Sequence, residues 1–208
     1  MEEFIRVPYG STVHGEEEID AVINVLKTTT QMSKNVREFE SKVAAKYSKD
    51  YGIMVNSGSS ALYLSIESLN LPMGSEVITP ALTFGTTVAS IVNNKLVPVF
   101  VDVKPDTYCI DETQIESKIT KNTSAIVAPD LMGNICEWPF IRELADKHNL
   151  KILVDSADTI GATYDGISTG SFADVVITSF YGSHIINGAG NGGMIATSDK
   201  ELADKCSL

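Results

Sequence analysis

Apolar positions along the chain change period after the first fifty residues. Ile19, Val22, Ile23 and Leu26 recur at i, i+3, i+4 and i+7, which predicts an amphipathic helix over 16–27. Val36, Phe39, Val43 and Tyr47 repeat the spacing and predict a second helix. Short apolar runs then take over, and 52–55, 76–79, 97–101, 124–128, 151–154, 175–178 and 193–196 read as strands. Helical patterns at 59–69, 84–94, 111–119 and 137–149 lie between most of them. Strands apolar on both faces, alternating with helices, predict an α/β fold: a mostly parallel central sheet with helices on both faces. Functional groups in such a fold gather at strand ends and in the loops that follow. Ser198 is placed to cap a last helix from Asp199, and a chain stopping at Leu208 inside a fresh helix reads as a fragment.

Composition narrows the class. With 208 residues, 43% hydrophobic and 21% charged, the chain can bury a real core as one large domain. Its formal net charge of −11, with no Lys/Arg-rich block, speaks against nucleic acid or an anionic membrane surface as a partner. A small anion in a local pocket stays open. No apolar run approaches the roughly 20 residues of a membrane span. Met1-Glu2-Glu3-Phe4 lacks the basic and apolar regions of a signal peptide, so a cytoplasmic location is expected. Cys109, Cys136 and Cys206 have no metal-like spacing; free thiols and no metal site are expected.

Several segments carry candidate chemistry. Val55-Asn56-Ser57-Gly58-Ser59-Ser60-Ala61 follows a strand and opens a helix. Small residues let backbone approach a ligand, and a helix N-terminus with nearby hydroxyls suits a phosphate monoester; alone it serves equally as a capped turn. Asp155 ends a strand, where a carboxylate can pair with a protonated pyridine nitrogen, and Asp158 is within reach of a ring substituent. An acidic helix cap is the other reading of that pair. Phe84 can stack on a flat ring or belong to the core. Gly188-x-Gly190-x-x-Gly193 matches the dinucleotide fingerprint in form only, because it leads into a strand instead of a helix.

In order, these segments resemble the DegT/StrS-type nucleotide-sugar aminotransferase family, fold-type-I pyridoxal-phosphate enzymes. The landmarks are Asn56–Leu62, Gly74-Ser75-Glu76-Val77-Ile78-Thr79-Pro80, Val97–Asp102, Asp106–Asp111, Lys147-His148-Asn149-Leu150, Asp155-Ser156-Ala157-Asp158 and Ser179-Phe180-Tyr181, within a likeness running from about Tyr9 to the end. The resemblance implies that 1–208 is a cofactor-binding large domain, with an N-terminal helical segment over about 1–50 and a C-terminal small domain missing. It implies that Ser57, Gly58, Ser59 and Ser179 surround the phosphate, Phe84 stacks on the ring and Asp155 pairs with its nitrogen. A homodimer and a nucleotide-sugar substrate are implied in the same way.

Two positions depart from the family pattern together. The usual lysine, five residues after Ser179, is His184, and no lysine lies between Lys151 and Lys200. The usual glutamine, three after the aspartate, is Asp158. The pair resembles the 4-keto-6-deoxyhexose 3-dehydrase branch acting on CDP- or GDP-linked sugars, although Ile185 stands where those enzymes have a second histidine. An imidazole cannot form a stable Schiff base but moves protons near neutral pH, from an unperturbed pKa of about 6.5. The implied cofactor is therefore pyridoxamine phosphate, the aminated form of pyridoxal phosphate, held non-covalently, with His184 as base and loss of the sugar's C3 hydroxyl. Release of product by hydrolysis or by a reductase partner, with or without an iron–sulfur cluster, stays open. The competing readings are an aminotransferase with its lysine elsewhere and an inactive cofactor-fold protein.

Overall fold

The computed structural model describes residues 5–8, 10, 13–32 and 34–207; the Met1–Phe4 segment and the two ends of the resemblance, Tyr9 and Leu208, lie outside them. The predicted first helix is α1 (Glu16–Thr28), whose first turn carries Glu16, Glu17 and Glu18 against the positive end of the helix dipole. Glu18 also accepts from the Gly15 amide at 2.7 Å. The periodicity located the helix, but not a buried face. Ile19, Val22, Ile23 and Leu26 are all exposed, and no α1 residue is buried among the described residues.

Beyond it, α2 (Lys34–Lys46) delivers Val43 and Ala44 to the core, and Tyr47, one residue past its end, is fully buried. The remaining elements alternate strand and helix through the fifth strand, after which four further strands precede the last helix. They are β1 (Tyr51–Val55), α3 (Gly58–Ser68), β2 (Glu76–Pro80), α4 (Gly85–Asn93), β3 (Val97–Val101), α5 (Glu112–Ile115), β4 (Thr123–Pro129), α6 (Trp138–His148), β5 (Lys151–Asp155), β6 (Thr163–Tyr164), β7 (Ile167–Ser168), β8 (Val175–Ser179), β9 (Gly193–Thr197) and α7 (Lys200–Cys206).

Seven strands form one sheet in the order β1-β9-β8-β5-β4-β2-β3. Pairings from β8 to β3 are parallel, and β9 runs antiparallel between β1 and β8. Side chains alternate across the sheet, as strand geometry requires. Ile126, Ile152, Val154 and Val176 meet α2 and α6 on one face, where Trp138 and Ile141 pack. Ala125, Val127, Leu153 and Val175 meet α3, α4 and α7 on the other, through Leu62, Ile66, Ile91 and Leu202.

Two local expectations change, and one hairpin is added. The 111–119 helix shrinks to α5 followed by a 3₁₀ turn at Glu116–Lys118. The last helix is capped by Asp199 and not by Ser198. The Asp199 carboxylate accepts from Glu201 N at 2.9 Å and Leu202 N at 3.1 Å, a charge-assisted cap stronger than a hydroxyl's. Ser198 instead accepts from Asp50 N. The added hairpin is β6–β7, whose two-residue turn is formed by Asp165 and Gly166, both at positive φ.

The strand register sets one row of special consequence. Val55 pairs with Gly193, and Gly193 with Ser179. A side chain at Gly193 would run into the Ser57 backbone, so glycine there lets the start of α3 settle onto β9. Replacing Gly193→Ala is expected to cost about 1–3 kcal/mol in urea denaturation, the usual penalty of overpacking against backbone.

Candidate active site

The site is built at the carboxyl ends of β1, β8, β5 and β2. At the first of these, Ser57 is the N-cap of α3; its Oγ accepts from Ser60 N at 3.1 Å. The amides of Gly58 and Ser59 precede the first intrahelical donor, Ala61 N, and stay available to an anion, where the helix dipole favours negative charge. Gly58 lies directly against Ser179. A Cβ added at Gly58 would stand 2.7 Å from Ser179 Cβ and 3.1 Å from its Oγ. Ser57, Gly58, Ser59 and Ser179, distant in sequence, thus share one small cradle. Its shape suits a phosphate.

The start of α4 ties this cradle to the carboxylate beyond it. Ser59 Oγ meets Thr86 Oγ1 at 3.3 Å, and Thr87 Oγ1 donates to Asp155 Oδ2 at 3.4 Å. Phe84, the residue preceding α4, is 70% exposed, a large apolar ring left open beside these groups. Sequence reasoning missed Thr87. Its signal was its place in the Thr83-Phe84-Gly85-Thr86-Thr87 segment, one helical turn past the aromatic.

Asp155 ends β5 and is buried, with its Oδ1 accepting from Ala157 N at 3.2 Å. Burial pushes its pKa up to about 6, the Asp158 charge adds to the rise, and the nearby His184 opposes it. A buried carboxylate so weakly compensated is stabilised by a cationic N–H placed against it. Asp158 accepts from Met132 N at 3.0 Å through Oδ2. It is therefore engaged by the loop after β4, a contact that the sequence did not reveal.

His184 sits in a turn closed by its own amide to Tyr181 O at 2.9 Å. The loop around it is pinned at its base, where Phe180 N donates to Gly192 O and Gly188 N to Phe180 O. Phe180 is fully buried and packs on Phe39 of α2 with ring centroids 5.0 Å apart. The imidazole Nδ1 lies 2.8 Å from Ala157 O. A carbonyl only accepts, so Nδ1 carries the hydrogen and the lone pair of the neutral ring is on Nε2. His184 and Asp155 are thereby joined through the short Asp155–Ala157 segment.

The candidate site residues lie at the ends of these strands or in the segments that follow them. Together they offer an anion cradle, an exposed aromatic, a buried carboxylate and a base, and this set fits a planar phosphorylated cofactor with a basic ring nitrogen. Among the described residues no cluster of three or more metal-ligating side chains occurs, and no helix is long and apolar enough to cross a membrane.

Known proteins match this chain in sequence and in fold. The sequence model of the DegT/DnrJ/EryC1/StrS aminotransferase family matches residues 12–208. GDP-perosamine synthase of Caulobacter vibrioides is 35% identical over 100% of this chain and 56% of its own length. The dTDP-4-dehydro-2,6-dideoxy-D-glucose 3-dehydratase of Saccharopolyspora spinosa is 37% identical over 94% of this chain and 44% of its own. Among solved structures, the E. coli GDP-4-keto-6-deoxy-D-mannose-3-dehydratase with bound hydrated PLP superposes with a TM-score of 0.90 at 29% identity, covering 97% of this chain and 53% of that one. The chain spans about half the length of the curated relatives it matches.

The raised pKa of Asp155 has a measurable consequence. A carboxyl with a folded pKa near 6 contributes stability that is complete below its unfolded pKa and is lost as pH rises through 6. Asp155→Asn should therefore stabilise the cofactor-free chain more at pH 7.5 than at pH 4.5, by on the order of 2 kcal/mol. Urea denaturation at the two pH values measures it; an equal effect at both would remove the buried, uncompensated carboxylate from the site.

Proposed function

The chain belongs to the DegT/DnrJ/EryC1/StrS aminotransferase family, and from that premise we propose that it removes the C3 hydroxyl of a 4-keto-6-deoxy nucleotide sugar. Pyridoxamine phosphate, the non-covalent cofactor of this reading, supplies an amine for the sugar's ketone and a ring that withdraws electrons. Gly58 and Ser59 amides with Ser179 would hold its phosphate, Phe84 would stack on its ring and Asp155 would keep the ring nitrogen protonated. Asp158 would stand beside a ring substituent.

The observation that carries the reading is His184. It occupies the expected lysine position, in a stretch without lysine from Lys151 to Lys200, and Ala157 O holds its Nδ1–H. That bond leaves Nε2 to take up and return a proton, which is general-base work at near-neutral pH. Lysine would do two tasks, anchoring the cofactor and moving the proton; histidine retains only the second. The dehydratases among the relatives support this assignment. The family's own description, an aminotransferase family, supports the alternative of transamination by a lysine outside that stretch.

Borohydride reduction of the full-length protein loaded with pyridoxal phosphate separates the two. Dehydration through His184 predicts no phosphopyridoxyl adduct by mass spectrometry, and a new one at position 184 in His184→Lys. His184→Asn should lower deoxygenation by on the order of 10²–10⁴-fold, the usual contribution of a positioned acid–base group. A stable adduct on a lysine of the unmodified protein would overturn the reading in favour of transamination.

A further inference from the structure

The loop that carries Met132, and with it the contact to Asp158, is fastened at its far end by a group outside the site. Asp130 follows β4, beside the end of β5, and its amide donates to Asp155 O at 2.9 Å. Its side chain is 1% exposed. Oδ1 accepts from Cys136 N at 2.9 Å and from Trp138 Nε1 at 2.8 Å, so one oxygen fastens both the end of the following loop and the first residue of α6. Oδ2 is buried and has no hydrogen-bond partner. Between these fixed points the chain turns sharply. Met132 adopts φ 55°, ψ 31°, and Gly133 follows at φ 87°. Asn134 Nδ2 ties the turn to Thr107 O at 2.9 Å.

Left-handed backbone at methionine is unfavourable and persists where its surroundings impose it. Here the conformation aims the Met132 amide at Asp158 Oδ2. A buried acid, with one oxygen accepting from both the loop and α6 and the other unpaired, is an expensive way to close a turn. Its placement makes sense as a fastening for what the turn carries.

We propose that Asp130 is a positioning residue, holding the 131–137 loop so that the Met132 amide fixes Asp158 beside the bound cofactor. The inference rests on reading the site as a pyridoxal-phosphate cradle. Asp130 touches neither ring nor substrate in this arrangement; it acts through Met132 and Asp158. Burial pushes its pKa up to about 7, with Asp155 contributing, so a neutral amide is a fair replacement near that pH.

The test uses the full-length protein, hydrogen exchange read by mass spectrometry, and pyridoxal phosphate as probe. In the cofactor-free protein, Asp130→Ala should speed exchange by about tenfold in 131–137 and also in 156–160, the effect of losing a buried hydrogen bond and leaving its donor unpaired. The Kd for pyridoxal phosphate should rise by about tenfold, and the absorbance of the bound cofactor should titrate at a different pH. Asp130→Asn retains an oxygen acceptor and should restore both readouts to within about threefold of the parent. Should Asp130→Ala fail to fold, Trp138→Phe removes one of the two donors and is judged by the same two segments. Faster exchange confined to 131–137, with 156–160 and cofactor binding unchanged, would overturn the proposal and leave Asp130 a local structural acid. A parent protein that binds no pyridoxal phosphate would overturn the cofactor reading instead, while the comparison of the two segments still decides the coupling.

Discussion

The contact of Gly193 with the Ser57 backbone is the constraint on which the site depends. Strand β9 enters the sheet antiparallel, and its first residue is flanked by Val55 on one side and Ser179 on the other. With hydrogen at Gly193 and Gly58, the start of α3 closes onto β9 and onto Ser179. Packing between backbones leaves almost no freedom to relax, so the amides at the head of α3 and the hydroxyl at the end of β8 are set together. An anion cradle follows from close packing, before any ligand contributes.

From that corner the site extends along the strand ends through short, directed polar contacts. Thr86 and Thr87, successive residues at the start of α4, reach Ser59 and Asp155 respectively. Asp155 and His184 meet across Ala157, whose amide serves the carboxylate and whose carbonyl serves the imidazole. One peptide segment therefore orients both an acid and a base. Below it Tyr47 donates to Ser156 Oγ, and Thr178 donates to Ser156 O, so the turn carrying the acid is fixed from α2 and β8. The electrostatic result is a buried carboxylate that is costly alone and comfortable beside a cation. A cation placed there would relieve a cost that the protein meets on folding, which is the arrangement preorganisation requires.

The apolar face of α1 shows the limit of periodicity. Ile19, Val22, Ile23 and Leu26 have the spacing of a core-facing stripe, yet each is exposed in this chain. Spacing reports that a helix has two unlike faces; it does not report what lies against the apolar one. The same limit appears in α5, where the pattern over 111–119 supports only a short helix and a 3₁₀ turn.

The alternation of strands and helices, the α/β class and the residue types of the site are all legible in the amino-acid sequence. Local signals carry these: side-chain period, turn chemistry, and the placement of Ser57, Phe84, Asp155 and His184 just after apolar strands. The missing lysine was equally plain, because an absence of one residue type over a stretch is read without any fold. Tertiary structure alone decided the antiparallel insertion of β9, the register that sets Gly58 against Ser179, and the partners of the ionisable groups. Hydrogen bonds such as Thr87 to Asp155 or Met132 to Asp158 join positions 68 and 26 residues apart. Their energy depends on distance, direction and burial, and the chain acquires these only when its strands are paired.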